Sequence, residues 1–173
     1  MAERRRFVYS PYQLPLEWGG SARELGQHVR EIHEPLYVRS PEDAVTYLLT
    51  AVFVPFDQFK QEQLYVLLLD QRNRITHDVM LYKGTVNAIH VRTAEVFMEA
   101  VRHNSPSIIV SHNHPSGDPT PSPEDVNLTD HVFNAGKLLE IQVLDHIIVG
   151  QDRWVSLKER LGSDFGSSNG KEQ

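Results

Sequence analysis

The chain has no cysteine, which excludes disulfides, thiol nucleophiles and thiolate metal sites and fits a reducing compartment. No apolar run approaches the roughly 18 residues that a membrane-spanning helix requires, and the N-terminus lacks a signal-peptide core. Positive charge is also short: 17 Lys and Arg face 23 Asp and Glu, a formal net charge of −6. That balance argues against a general polyanion-binding surface, because neutralising phosphates takes clustered cations. The one basic cluster, Arg4-Arg5-Arg6, reads as a solvated N-terminal end. The expectation is a cytoplasmic protein with no membrane partner and weak nucleic-acid binding at most. Its oligomeric state is not legible.

What is present is enough for one core: 173 residues, 40% of them hydrophobic. Residues 1–39 read as an arm plus a short helix from Ser21 to Ile32. A domain over 40–161 and a Ser-, Gly- and Asn-rich disordered tail over 162–173 follow. Ser40-Pro41-Glu42-Asp43 opens a helix that Pro55 ends. Gln63 to Asp70 and Ile75 to Tyr82 read as a hairpin whose first strand is too apolar to be half exposed, and Gly84 as a turn with positive φ. A helix from Thr93 to His103, an apolar strand, a helix from Pro123 to Leu139, a strand from Ile141 to Val149, a short strand at Trp154-Val155 and a last turn complete the order. The implied class is α/β, a mixed sheet flanked by helices on both faces, with a site at strand ends.

The apolar strand Ser107-Ile108-Ile109-Val110 runs into Ser111-His112-Asn113-His114-Pro115. In an extended segment residues i and i+2 share a side, so His112 and His114 can converge on one ion while Asn113 faces away. Ten residues, four prolines among them, separate His114 from Asp125 and suit a stiff loop that returns a carboxylate to the metal. Two imidazoles and a carboxylate leave the fourth tetrahedral position to water, the mark of a catalytic zinc site. The plainer readings are two hydrogen-bonded histidines and an Asp125 that serves the helix start, with Ser122 as N-cap and Pro123 at the first helical position. The roles are compatible, since a helix N-terminus favours the ionised carboxylate that a metal requires.

His112-Asn113-His114-Pro115-Ser116-Gly117-Asp118-Pro119-Thr120-Pro121-Ser122 resembles the JAMM motif of the MPN-plus metalloproteases, and in detail the RadC family of bacterial proteins. Leu67-Leu68-Leu69-Asp70, Lys83-Gly84-Thr85-Val86-Asn87, Glu95-Val96-Phe97 and Leu144-Asp145-His146-Ile147-Ile148-Val149-Gly150 extend the likeness from about Glu62 to Leu161. The resemblance implies the MPN fold, grouped with deaminase-like three-layer architectures, for the domain at 40–161. It implies a Zn2+-dependent hydrolase that cleaves a peptide or isopeptide bond, with a protein or peptide as substrate. Full-length relatives carry an N-terminal helix-hairpin-helix region, which 173 residues are expected to be too few to hold.

Such chemistry calls for a carboxylate that is not a ligand, to carry a proton from water to the leaving amine. The residues alone leave Glu62, Glu95, Glu99, Glu124 and Glu140 open. The resemblance selects Glu62 as general base and acid, and Ser122 as donor to the developing oxyanion. His146, in an apolar strand, reads as a satisfied core histidine, and His131 as a polar helix residue. Arg92-Thr93-Ala94-Glu95 stands where relatives more often have His-Pro-Arg-Glu, a departure that bears on specificity if the segment shapes the substrate entrance. Two other classes stay in view: a DNA-repair-associated nucleic-acid-binding protein, from the family's traditional label, and a metal-binding scaffold without turnover. A zinc deaminase fits less well, because it normally draws on cysteines.

Overall fold

The computed structural model describes residues 28–84 and 91–162. Its described elements run β1 (His28–Tyr37), α1 (Pro41–Tyr47), β2 (Glu62–Leu69), β3 (Arg74–Gly84), α2 (Thr93–Arg102), β4 (Ser107–Asn113), α3 (Pro123–Leu139), β5 (Gln142–Val149), β6 (Trp154–Ser156) and α4 (Leu157–Leu161). A π-helical turn, Leu48–Val52, prolongs α1. Among the described residues the sheet has six strands in the order β1-β3-β2-β4-β5-β6. All neighbours are antiparallel except β4 and β5. That parallel pair needs a crossover, and α3 provides it.

Both faces of the sheet are covered. Leu67, Leu69, Ile75, Ile109, Ile147 and Val149 pack under α1 and its π turn, with Leu48 and Phe53. The alternate residues Leu64, Val66, Leu68, Ile108 and Val110 pack under α2 and α3, with Phe97 and Val132. β2 is therefore buried on both faces, as its near-continuous apolar sequence requires. The α/β class with helices on both faces, and the MPN-like layering, hold in the described residues.

Two expectations need correction. Where it is described, the helix expected from Ser21 to Ile32 is replaced by β1, which pairs with β3 from His28↔Met80 onward. Helical periodicity lost to a partner far along the chain, since Arg30 reaches Asp78 on β3 and Tyr47 on α1. Gly84 is not a turn: it lies in β3 opposite Glu62, and the positive-φ glycines of the described residues are Gly117 and Gly162. The ring of Tyr82 occupies the space a side chain at 84 would need. The arm at residues 1–20, the extended piece after Gly84 and the tail from 163 lie outside the described residues.

Candidate metal centre

β4 sends Ile108 and Val110 into the core under α3, and His112 continues that file by the two-residue repeat of a strand. His114 follows just past the strand end, where its amide still bonds the Val149 carbonyl at 2.9 Å. The chain then turns, with Gly117 N–H donating to the His114 carbonyl at 2.9 Å and Gly117 at φ 83°. Gly150, just past β5, lies so close beneath this loop that a Cβ there would collide with the Gly117 carbonyl.

The loop ends in a capping box at the start of α3. Ser122 Oγ accepts from the Asp125 amide at 3.2 Å, and the Ser122 amide donates to Asp125 Oδ2 at 2.7 Å. The Ser122 hydroxyl also donates to Oδ2, at 2.8 Å. Oδ2 is thus tied to the cap, while Oδ1 faces His112 Nε2 at 3.1 Å. His112 Nε2 and His114 Nε2 are 3.1 Å apart, and one ligand atom from each of the three residues lies within 4.8 Å of the others. Two imidazole nitrogens and a carboxylate oxygen that face one another at these distances can take a cation between them. The N2O donor set, with no thiolate, suits a divalent ion in an open site. His112, His114 and Asp125 could therefore hold a metal ion.

The electrostatics agree. Burial opposes charge on Asp125, but the neighbouring imidazoles of His112 and His114 and the Ser122 amide outweigh it and hold the carboxyl well below the usual range. Burial also opposes protonation of His114. Its bonds to Asp125 and to the Asp118 carbonyl outweigh that and raise its pKa, so positive charge is favoured here.

The outward-facing nitrogens are also engaged. His114 Nδ1 is 2.8 Å from the Asp118 carbonyl oxygen. His112 Nδ1 is 2.9 Å from His146 Nε2, and His146 Nδ1 is 2.6 Å from Thr129 Oγ1. His146 is buried, as the sequence reading has it, but it packs against a metal-ligand candidate and not merely among apolar side chains. Burial pushes its pKa down to about 3.

β2 brings Glu62 to the same place. Leu64 lies opposite His112 in the antiparallel ladder, so two further residues of that register set Glu62 across from His114. The ladder itself stops at Leu64, and the side chain of Asn113 supplies the next rung. Its Oδ1 accepts from the Gln63 amide at 2.8 Å and its Nδ2 donates to the Gln61 carbonyl at 3.2 Å. Asn113 thereby clamps both neighbours of Glu62, a role the sequence reading misses when it notes only that the residue faces away. Glu62 is 8% exposed, and burial raises its pKa against the lowering pull of His112 and His114.

A cleft of about 370 Å³ opens onto the centre, with Glu62, His112, Ser122 and Asp125 in its lining. Of the five glutamates the sequence leaves open, Glu62 and Glu124 line it. Glu99 pairs with Arg102 and Glu95 with Arg92, each at 2.6 Å, and Glu140 ends α3 in a left-handed conformation. Val91 and Arg92 also line the cleft, so the segment that departs from the usual family pattern borders this site. His131 lines it too, from the exposed side of α3.

Residues 38–162 match the family described as RadC, a RadC-like JAB domain. A UPF0758 protein of Chloroflexus aurantiacus is 47% identical over 142 residues, which cover 81% of this chain and 60% of the relative. A UPF0758 protein of Roseiflexus castenholzii is 49% identical over 127 residues, 73% of this chain and 53% of the relative. One from Clostridium botulinum is 48% identical over 101 residues, 58% of this chain and 44% of the relative. The chain thus spans about half, at most 60%, of the length of these curated relatives.

Proposed function

The chain belongs to the RadC family, and from that premise we propose that it is a zinc-dependent hydrolase of JAMM type acting on a peptide or isopeptide bond. The observation that carries the reading is the convergence of His112, His114 and Asp125 at a cleft that also holds the buried carboxylate of Glu62. Zinc held by these three residues would polarise the scissile carbonyl and acidify a water molecule. Glu62 takes a proton from the attacking water and returns it to the leaving nitrogen, so the C–N bond breaks to a carboxyl group and an amine. Its raised pKa suits a group that must both accept and release a proton. Asn113 holds Glu62 in register with the ligand strand through the backbone on either side of it. Ser122 is the candidate donor to the developing oxyanion. To act so, its hydroxyl would have to leave Asp125 Oδ2.

That engagement of Ser122 is the one observation favouring a metal-binding scaffold without turnover. Hydrolysis of a panel of peptide and ubiquitin-like fusion substrates separates the two readings. The expected result is cleavage by the wild type and loss of cleavage in Glu62→Gln with zinc retained. Unchanged turnover in Glu62→Gln would move the general base elsewhere, and absence of cleavage across the panel would favour the scaffold. Protein is the partner this reading requires, and the net charge of −6 makes nucleic acid a weak one.

A further inference from the structure

We propose that Thr129 and His146 are positioning residues that fix the ring of His112 in its Nδ1–H form, so that Nε2 presents a bare lone pair to the metal. The inference rests on the metal reading of the centre, and proton counting along one chain of hydrogen bonds carries it. Thr129 Oγ1 lies 2.7 Å from the backbone carbonyl oxygen of Asp125 and 2.6 Å from His146 Nδ1. A hydroxyl has one proton, and a carbonyl oxygen can only accept, so that proton goes to Asp125. Thr129 Oγ1 must then accept from His146 Nδ1–H.

His146 is 1% exposed and Thr129 2%, so water cannot reverse this order. An uncharged imidazole has a single ring proton, and with Nδ1 as the donor to Thr129 its Nε2 is left to accept. That nitrogen is 2.9 Å from His112 Nδ1, so His112 must be the donor between them. In the uncharged ring of His112 the Nε2 is then the bare nitrogen, and it is the one that faces Asp125 Oδ1 and His114 Nε2, at 3.1 Å each. The path closes on itself. It starts at the backbone of Asp125 and ends at the side chain of the same residue, so one turn of α3 sets both the carboxylate ligand and the tautomer of the ligand opposite.

His114 reaches the same state by a shorter route, donating Nδ1–H directly to the Asp118 carbonyl at 2.8 Å. Metal-bound histidines are generally oriented by such outer partners, most often a carboxylate or a backbone carbonyl. On the His112 side an imidazole and a hydroxyl stand between the ring and the Asp125 backbone carbonyl.

The test reads tautomer and affinity, neither of which depends on turnover. Long-range nitrogen–proton NMR on the zinc-free wild-type chain at about pH 8 is expected to show His112 protonated on Nδ1. Zinc competition against a chromophoric chelator is expected to show Thr129→Val and His146→Leu weakened about 10- to 100-fold. Thr129→Ser keeps the hydroxyl and His146→Gln keeps an acceptor, and both should stay within about threefold of wild type. A wild-type His112 protonated on Nε2 would overturn the proposal even if no variant folds. So would wild-type zinc affinity in folded Thr129→Val and His146→Leu. Failure of the wild type to take up zinc would reject the metal reading instead, and the zinc-free spectrum would still decide the tautomer.

Discussion

Asp78 and Asp125 each anchor a polar cluster beneath a helix, on opposite faces of one sheet, and the two clusters are completed differently. The Asp78 carboxylate is surrounded: Arg30 bonds it through two nitrogens and Tyr47 donates its hydroxyl to it. The remaining reach of Arg30 goes to the Ala51 carbonyl at 2.9 Å. Donors and acceptors match there, and the cluster joins β1, β3 and α1. Around Asp125 the outer atoms are equally well matched, by Ser122, Thr129, His146 and Asp118, but the inner ones face one another. Three ligand atoms turn toward one another beside an open cleft. A closed polar cluster serves the fold, whereas one that is anchored from outside and turns its ligand atoms inward beside a cleft can take a guest.

The comparison can be broken most severely at the open centre. The double variant His112→Ala, His114→Ala is expected to fall from one zinc per chain to none with the fold intact, as read by elemental analysis and circular dichroism. Equal zinc in the two proteins would remove the distinction between the clusters. At the closed cluster the expected change is the reverse. Asp78→Ala strands the Arg30 guanidinium and should cost about 3 kcal/mol in chemical denaturation, without changing zinc content. Zinc loss in a folded Asp78→Ala chain would show that the faces are coupled.

A smaller effect sharpens the contrast through pH. His114 has a pKa raised above its ordinary 6.5, so its proton stabilises the zinc-free fold at acid pH, and that contribution is lost as pH rises through the raised value. Zinc competes for the same lone pair. Its affinity should therefore climb about tenfold per pH unit through that window and level off above it, as measured by chelator competition. A flat profile from acid to neutral pH would exclude His114 as a ligand. The smallest expected change is at Ser122→Ala, which removes half of the capping box and should cost about 1 kcal/mol of stability. A fall in turnover far beyond the fall in stability would assign the hydroxyl to the reaction as well as to the cap.

Legibility follows sequence distance. The candidate ligands are legible as a group because the strand repeat, the proline-rich loop and the cap that place His112, His114 and Asp125 all lie within fourteen consecutive residues. The hairpin, α2, α3 and β5 were readable for the same reason, since each is set by a local period and a local stop. β1 is not legible locally because it pairs with β3 and its Arg30 bonds Asp78 and Tyr47, 48 and 17 residues away. His146 was read as buried but not as a partner of His112, which lies 34 residues earlier and becomes its neighbour only when β4 and β5 pair. Nothing in the period of a strand announces which strand will lie beside it. Glu62 is singled out by the family likeness alone, because the sequence leaves five glutamates open and the cleft keeps two of them, Glu62 and Glu124, in its lining.

The proline-rich loop between His114 and Asp125 also bears on what binding at the centre would cost. Its ends are fixed by the Val149 carbonyl and the capping box, and Gly150 lets its middle rest against the end of β5. Donor atoms anchored in this way would not have to be gathered by an ion that binds between them, so little ordering entropy would be charged against the binding. Gain or loss of such an ion would then leave the outline of the loop and the start of α3 as they are.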